Sequence, residues 1–365
     1  MANATERRGA ESILGFPAIW LRDNCPCPEC RDPANGQKLF QINDLPDELA
    51  VASVREDKDT ITVTFTPDAH LSVFSRGWLA AQGTVWRGQG RTERDKQLWR
   101  ACDLKDAIPE TEWASYRSDD AERLRSLCEV SSRGFVIVRN APTKERTVLE
   151  VARTFGYVRE TNYGELFDVR VETAPSNLAF TGFAIGPHTD NPYRDPVPTM
   201  QLLHCLSNAV QGGESGLLDG FLAAAVLRVE NPEAFGVLSR TLVPFTWSDA
   251  GTVLRAECPL IETDPAGQIR GVRFNNRSMQ ALQLCEAQLV AFYDAYRAFA
   301  GLIEDPETQL TFRLEPGDCV IFDNTRLLHA RTAFSDSGSG NRHLQGCYAD
   351  LDGLFSTIAV LERRL

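Results

Sequence analysis

No apolar run in this 365-residue chain reaches the roughly 18 residues that a membrane-spanning helix requires. Residues 1–15 carry charges but no apolar h-region, so a secretory signal is not expected there. Basic charge is short: 38 Lys and Arg stand against 50 Asp and Glu, a net charge of −12. That balance, without a Lys/Arg cluster to grip phosphates, argues against nucleic acid and is compatible with a small cationic or zwitterionic substrate. Internal repeats and low-complexity tracts are missing as well. A hydrophobic content of 43% over this length suffices for one large core and a smaller one, as in a cytoplasmic enzyme.

Cysteine is plentiful, at ten. Without an export signal disulfides are not expected, and seven cysteines scattered through apolar stretches read as buried thiols. The other three form Cys25-Pro26-Cys27-Pro28-Glu29-Cys30, whose close thiolate spacing and turn-forming prolines suit a metal clip. Three thiolates need a fourth ligand, and His70 is the only histidine in the first 180 residues. Three reduced loop cysteines beside an exposed His70 are the plain alternative.

Two domains are expected. Residues 10–95 hold the clip, short alternating strands at 50–55 and 60–66 and a helical start at 75–81, which makes a small β-rich module. A polar stretch rich in Gly and Arg, 83–96, reads as the junction. Residues 96–365 show helical periodicity at 119–131, 144–154, 220–229 and 285–302. Strands are expected at 134–139, 199–206, 269–274, 309–313, 318–322 and 344–349.

The strongest chemical signal is His188-Thr189-Asp190 with a distant His329, followed thirteen residues later by Arg342. A His and a carboxylate two residues apart on an extended strand project to one face, and a second His from a remote strand completes a facial set of three ligands. Such a set leaves three positions open, as an oxygen-activating ferrous ion requires, whereas a structural zinc site is closed. His-x-Asp alone is a weak signal. It gains weight because His329 closes a stretch beginning Leu314-Glu315-Pro316-Gly317-Asp318, in which a turn feeds an apolar strand and then a loop.

With these motifs the chain resembles the iron(II)/2-oxoglutarate-dependent dioxygenases, and among them the γ-butyrobetaine and trimethyllysine hydroxylase family, with bacterial 2-(trimethylamino)ethylphosphonate dioxygenase as a near type. Further carriers of the resemblance are Trp20-Leu21-Arg22-Asp23-Asn24-Cys25, Gln201-Leu202-Leu203-His204-Cys205, Gly212-Gly213-Glu214-Ser215, Phe274-Asn275-Asn276 and the segment from Arg342 to Asp350. It implies an α+β, mainly β fold: a double-stranded β-helix (jelly-roll, cupin-like) catalytic domain behind a small N-terminal zinc-binding domain. It also implies Fe(II), O2 and 2-oxoglutarate as reactants, a structural Zn(II) on Cys25, Cys27, Cys30 and His70, and a homodimer.

A guanidinium matches the 5-carboxylate of 2-oxoglutarate because it pairs bidentately and keeps its charge, and Arg342 stands where the family has that arginine. Ser215 either donates to the same co-substrate or caps a turn. A quaternary ammonium has no N–H to donate and must be held by aromatic faces. Tyr163, Phe167, Phe180 and Tyr348 fall where the family places its cage. Phe167 and Phe180 replace tryptophan and tyrosine of the animal-type enzymes, which weakens the cation–π surface, and Phe180 is equally readable as core. Asn177 and Asn275 match the family's anion donors. Asn191, Tyr193 and Arg277 add donors that a phosphonate would use, although Asn191-Pro192 also reads as a turn and Arg277 as a solvent-facing residue. His204 and His343 read as structural. The expected reaction is hydroxylation of a small trimethylammonium zwitterion, 2-(trimethylamino)ethylphosphonate or γ-butyrobetaine, at the carbon two bonds from nitrogen. A trimethyllysine-type hydroxylase and a non-catalytic metal-dependent sensor are the alternatives.

Overall fold

The computed structural model describes residues 6–8, 15–85, 96–171, 181–335 and 342–365. The chain divides into two compact units, Met1–Glu93 and Arg94–Leu365.

In the first unit, strands Glu6–Arg8, Ala50–Glu56, Thr60–Thr66 and Leu71–Ser75 form one antiparallel sheet in that order. Thr60–Thr66 alternates, so Ile61, Val63 and Phe65 turn inward. They meet Phe16, Leu21, Val54, Phe74 and Leu79 in a single small core. The expected helical start is observed as Arg76–Val85.

Two facing sheets build the second unit. The larger has strand order Glu110–Glu112, Phe135–Arg139, Cys319–Asp323, Met200–Asn208, Arg342–Ala349 and Phe167–Val169; the smaller has Leu310–Phe312, Ser215–Asp219, Leu327–Arg331 and Ile185–His188. Cys205, Val320, Phe322 and Leu344 of the larger sheet pack with Leu217, Leu310, Phe312 and Leu327 of the smaller. This is a double-stranded β-helix. Strand period decides which side chains reach its interior. In Met200–Asn208, Met200 and Leu202 join the layer of helices Asp120–Arg133, Thr147–Ala152 and Leu351–Arg364. Gln201 and Leu203 face the cavity between the sheets. In Arg342–Ala349 the same alternation sends Cys347 and Ala349 to the helices and Arg342, Leu344 and Tyr348 to the cavity.

Several expectations shift. The strand Ile269–Val272 pairs with Ile261–Thr263 outside both main sheets. The helix expected at 144–154 is confined to Thr147–Ala152 behind a left-handed Arg146. Pattern reading offered no hairpin at Val243–Ser248 and Val253–Cys258, whose strands pair residue for residue. Nor are all seven scattered cysteines buried: Cys102 and Cys285 are exposed and Cys128 is half-buried. Each of these three lies on or beside an amphipathic helix, where an apolar neighbourhood in sequence does not place every side chain inside. Among the described residues, no helix is long and apolar enough to cross a membrane.

Candidate active site

His188 closes the strand Ile185–His188, Asp190 lies just beyond it, and His329 is central in Leu327–Arg331. The strands pair antiparallel with His188 opposite His329. Asp190 Oδ1 is 3.4 Å from His188 Nε2, and Asp190 Oδ2 is 3.9 Å from His329 Nε2. One ligand atom from each residue falls within 4.8 Å of the others, close enough to share a metal ion. His188 Nδ1 lies 2.9 Å from the Gly186 carbonyl. A carbonyl only accepts, so Nδ1 carries the proton and Nε2 keeps the free lone pair. Burial, reinforced by the adjacent His188, pushes His329 down to about 3, so its imidazole is neutral at ordinary pH. Burial works against a charge on Asp190, but the two histidines and the Tyr348 hydroxyl outweigh it and hold the carboxyl below the usual range. Asn324 fixes the backbone here: it accepts from Asp190 N–H at 2.8 Å and donates to the Asp190 carbonyl at 3.0 Å.

The triad opens on a cavity of about 500 Å3. Arg342 lines it at 5% exposure. Its Nη2 donates to the Gly213 carbonyl at 3.3 Å, its Nε has no partner, and no carboxylate pairs with it among the described residues. Burial pulls this guanidinium down to about 10. A buried cation without an anion is a receptor for a carboxylate. Gly213 makes room for it: φ is +73°, and a Cβ there would sit 3.1 Å from Arg342 Nε. Ser215 lines the same cavity at the start of its strand, opposite Arg331.

The taurine catabolism dioxygenase (TauD, TfdA) family pattern matches residues 101–348, and the γ-butyrobetaine hydroxylase-like N-terminal pattern matches residues 10–80. A γ-butyrobetaine dioxygenase of Pseudomonas sp. (strain AK-1) is 36% identical over 96% of this chain and 91% of that protein. The γ-butyrobetaine dioxygenase of Homo sapiens is 32% identical over 96% and 92%. The chain belongs to the TauD/TfdA dioxygenase family. As a member of it, the protein is an iron(II)- and 2-oxoglutarate-dependent dioxygenase. The crystal structure of the non-heme iron oxygenase OrfP superposes with a TM-score of 0.50 over 68% of this chain and 89% of that one; at 13% identity it speaks for the fold alone.

In this dioxygenase, Tyr163, Phe167, Asn191, Tyr193, Asn275, Arg277 and Tyr348 all line the cavity beside the triad. Asn177 and Phe180 lie outside the described residues. Phe167 stacks on Tyr348 with centroids 5.1 Å apart and lies 6.1 Å from Tyr163. The stack depends on Gly346, where a Cβ would come within 2.3 Å of the Phe167 ring. Tyr193 donates to Asn191 Oδ1 at 2.7 Å, and its hydroxyl oxygen is 3.2 Å from that of Tyr163. Asn191 has φ 56° and a buried Nδ2 without a partner. Asn275 is largely committed to the fold: Nδ2 donates to the Thr189 carbonyl at 2.9 Å, and Oδ1 accepts from Arg277 N at 3.2 Å. Arg277 has no ion pair among the described residues, although much of its side chain is exposed.

Sequence reasoning missed Trp247, Gln201 and Arg331. Trp247, on the unforeseen hairpin, sits 5.6 Å from Tyr163 and 6.0 Å from Tyr193. Gln201 could have been found from alternation once its strand was placed, since it faces the side of Leu203. Arg331, two residues after His329, holds the Thr181 and Phe183 carbonyls at 2.6 and 2.8 Å. His343 pairs with Asp168 at 2.6 Å, and His204 is fully buried with both ring nitrogens unpartnered.

In the first unit Cys25, Cys27 and Cys30 close around His70, with Sγ to Nε2 distances of 3.2, 3.7 and 3.5 Å. Bond lengths of about 2.3 Å to sulfur and 2.05 Å to nitrogen at a tetrahedral centre give an S to N edge of about 3.6 Å. Cys27 O accepts from Cys30 N and Arg31 N, the tight turn that gathers the thiols. Arg22 approaches Cys30 Sγ at 3.1 Å and pairs with Asp68, which accepts from His70 N–H.

Proposed function

We propose that this dioxygenase hydroxylates a small trimethylammonium zwitterion, γ-butyrobetaine or 2-(trimethylamino)ethylphosphonate, at the carbon two bonds from nitrogen. O2 and 2-oxoglutarate are consumed, and succinate and CO2 are released. His188, Asp190 and His329 are the Fe(II) ligands in this reading. One observation carries the substrate class: Asp190 is the sole carboxylate among the described residues lining the cavity, beside five aromatic rings and the cations Arg277, Arg331 and Arg342. Aromatic faces hold a quaternary ammonium and guanidinium groups hold an anion. A free amino acid such as trimethyllysine would also need a counter-ion for its α-ammonium, and that lining offers no carboxylate besides Asp190.

The donor set fits the metal and co-substrate: the His188 imidazole with its Nε2 lone pair free, the His329 imidazole held neutral by burial, one ionised carboxylate, and a buried guanidinium lacking an anion. Bound iron(II) with 2-oxoglutarate supplies the oxidising power that places one oxygen atom of O2 into a C–H bond. Arg342 pairs with the 5-carboxylate, and Ser215 donates a hydroxyl to it. Phe167, Tyr163 and Tyr348 hold the trimethylammonium group, with Trp247 as a further wall. At the other end Asn191 Nδ2, Tyr193 and Arg277 face the anion. Val169, Ile185, Leu203 and Leu344 keep the reacting carbon dry. In the first unit Cys25, Cys27, Cys30 and His70 hold one structural Zn(II), because four ligands leave no position for substrate.

The test is succinate release against a panel of trimethylammonium carboxylates and phosphonates, with hydroxylated product identified by mass. Release no faster with any panel member than without one would overturn the substrate class.

A further inference from the structure

Asp190 Oδ2 receives two hydrogen bonds, from Gln201 Nε2 and from the Tyr348 hydroxyl, each at 2.9 Å. The donors come from adjacent strands of the larger sheet, where Gln201 and Tyr348 are direct register partners, so the backbone ladder fixes their convergence. Both residues are nearly buried, at 1% and 4% exposure. The other carboxylate oxygen, Oδ1, is the one 3.4 Å from His188 Nε2. A carboxylate oxygen has two lone-pair directions in its plane, so two donors suffice to occupy Oδ2.

We propose that Gln201 and Tyr348 are positioning residues that restrict Asp190 to coordination through Oδ1, and that Tyr348 links the substrate cage to the metal centre. The inference rests on the assignment of His188, Asp190 and His329 as metal ligands. A two-oxygen Asp190 would occupy one of the three positions that a bidentate oxo-acid and O2 require. Donors on Oδ2 oppose that change, and they also set the orientation of the carboxylate, as outer partners of ligating groups do. The link follows from the same side chain: the ring of Tyr348 stacks on Phe167 at 5.1 Å as one wall of the cage, while its hydroxyl holds the metal-binding carboxylate. A cation seated on that ring presses on a group bonded directly to Asp190.

Tyr348→Phe separates the two roles, because it keeps the aromatic face and removes the hydroxyl. Gln201→Leu removes the other donor at similar volume. Mn(II) binding to the iron-free full chain that retains its zinc, followed by electron paramagnetic resonance without co-substrate or substrate, is expected to weaken about tenfold in each single variant. The double variant is expected to depart from the product of the two effects, since both donors share one oxygen. A second readout is the visible absorption of the anaerobic Fe(II) and 2-oxoglutarate complex: γ-butyrobetaine or its phosphonate counterpart is expected to shift that band in the wild type, and Tyr348→Phe is expected to bind the same compound within about threefold while losing most of the shift. Melting curves run alongside; if Gln201→Leu does not fold, the Tyr348→Phe arm decides. Unchanged Mn(II) affinity and an unchanged band shift in Tyr348→Phe overturn this proposal and leave the triad assignment standing. A wild-type chain that binds neither Mn(II) nor Fe(II) overturns both.

Discussion

His329 lies directly across the antiparallel ladder from His188, ring centroids 4.0 Å apart, so backbone pairing sets the two imidazoles side by side, while Asp190, just past the strand, is held by Asn324. Replacing His329 by Ala removes one of the proposed iron ligands without touching the ladder. We expect His329→Ala to abolish Fe(II)-dependent succinate formation while its melting temperature stays within a few degrees of wild type. Turnover near the wild-type level would remove His329 from the iron site.

Arg342 should show itself as the co-substrate's partner through both binding and stability. Loss of a buried charge-assisted pair costs on the order of 2–4 kcal/mol, a factor of roughly 30 to 1000. Arg342→Ala should therefore weaken 2-oxoglutarate binding by about two orders of magnitude in anaerobic titration with Fe(II). Excess 2-oxoglutarate added to the Fe(II)-loaded protein should raise the melting temperature of the wild type and not of the variant. An equal rise in both would detach Arg342 from the co-substrate.

The Cys25, Cys27, Cys30 and His70 cluster predicts about one equivalent of zinc per chain, by its four-ligand count, in protein prepared without added metal. Cys27→Ser should lower that content towards zero and destabilise the first unit. Elemental analysis decides it: unchanged zinc would locate the metal elsewhere.

At the two ends of the substrate the effects should part. Arg277→Ala should raise KM for a phosphonate far more than for the matching carboxylate, because a dianion depends more on a charge-assisted donor. Phe167→Leu should raise KM for both by a similar factor, roughly 3- to 30-fold for the loss of one aromatic face. Replacing Tyr348 by Leu is a poorer probe of the cage, since it also strips a donor from Asp190. Equal effects of Arg277→Ala on both anions would show that this arginine does not select between them.

Burial pushes the fully buried His204 imidazole down to about 4 from its ordinary 6.5. The folded chain then refuses a proton that the unfolded chain accepts below pH 6.5. The stability tied to this neutral group is intact above pH 6.5 and is lost progressively towards pH 4, by about 1.4 kcal/mol per pH unit for one proton. His204→Leu should flatten the acid side of the stability curve between those values in urea unfolding. An unchanged slope would mean that His204 does not titrate differently on folding.

The features legible in the primary structure were those that need only local periodicity or a short spacing. Thr60–Thr66 alternates and Gly220–Glu230 repeats apolar residues at helical period, so both could be read directly. The Cys25 to Cys30 spacing and the His188-Thr189-Asp190 pair are likewise local. What periodicity cannot report is which remote strand becomes a neighbour. The role of Gln201 depends on its register with Tyr348, Trp247 enters the cavity through a hairpin whose strands are too mixed in polarity to announce themselves, and Asn324 matters only because a turn brings it under Asp190.

By itself, then, the order of residues determined the chemistry on offer: two imidazoles and a carboxylate in facial spacing, three thiols in a clip, an arginine beyond the second histidine. Tertiary structure alone decided how those groups are used. Strand register leaves Arg342 buried without an anion and ties Tyr348 to Asp190, while the Thr189 carbonyl and the Arg277 N–H engage the two ends of the Asn275 amide. The physical reason is that hydrogen bonds and burial act between groups distant along the chain, and only the closed pair of sheets brings those groups within bonding distance.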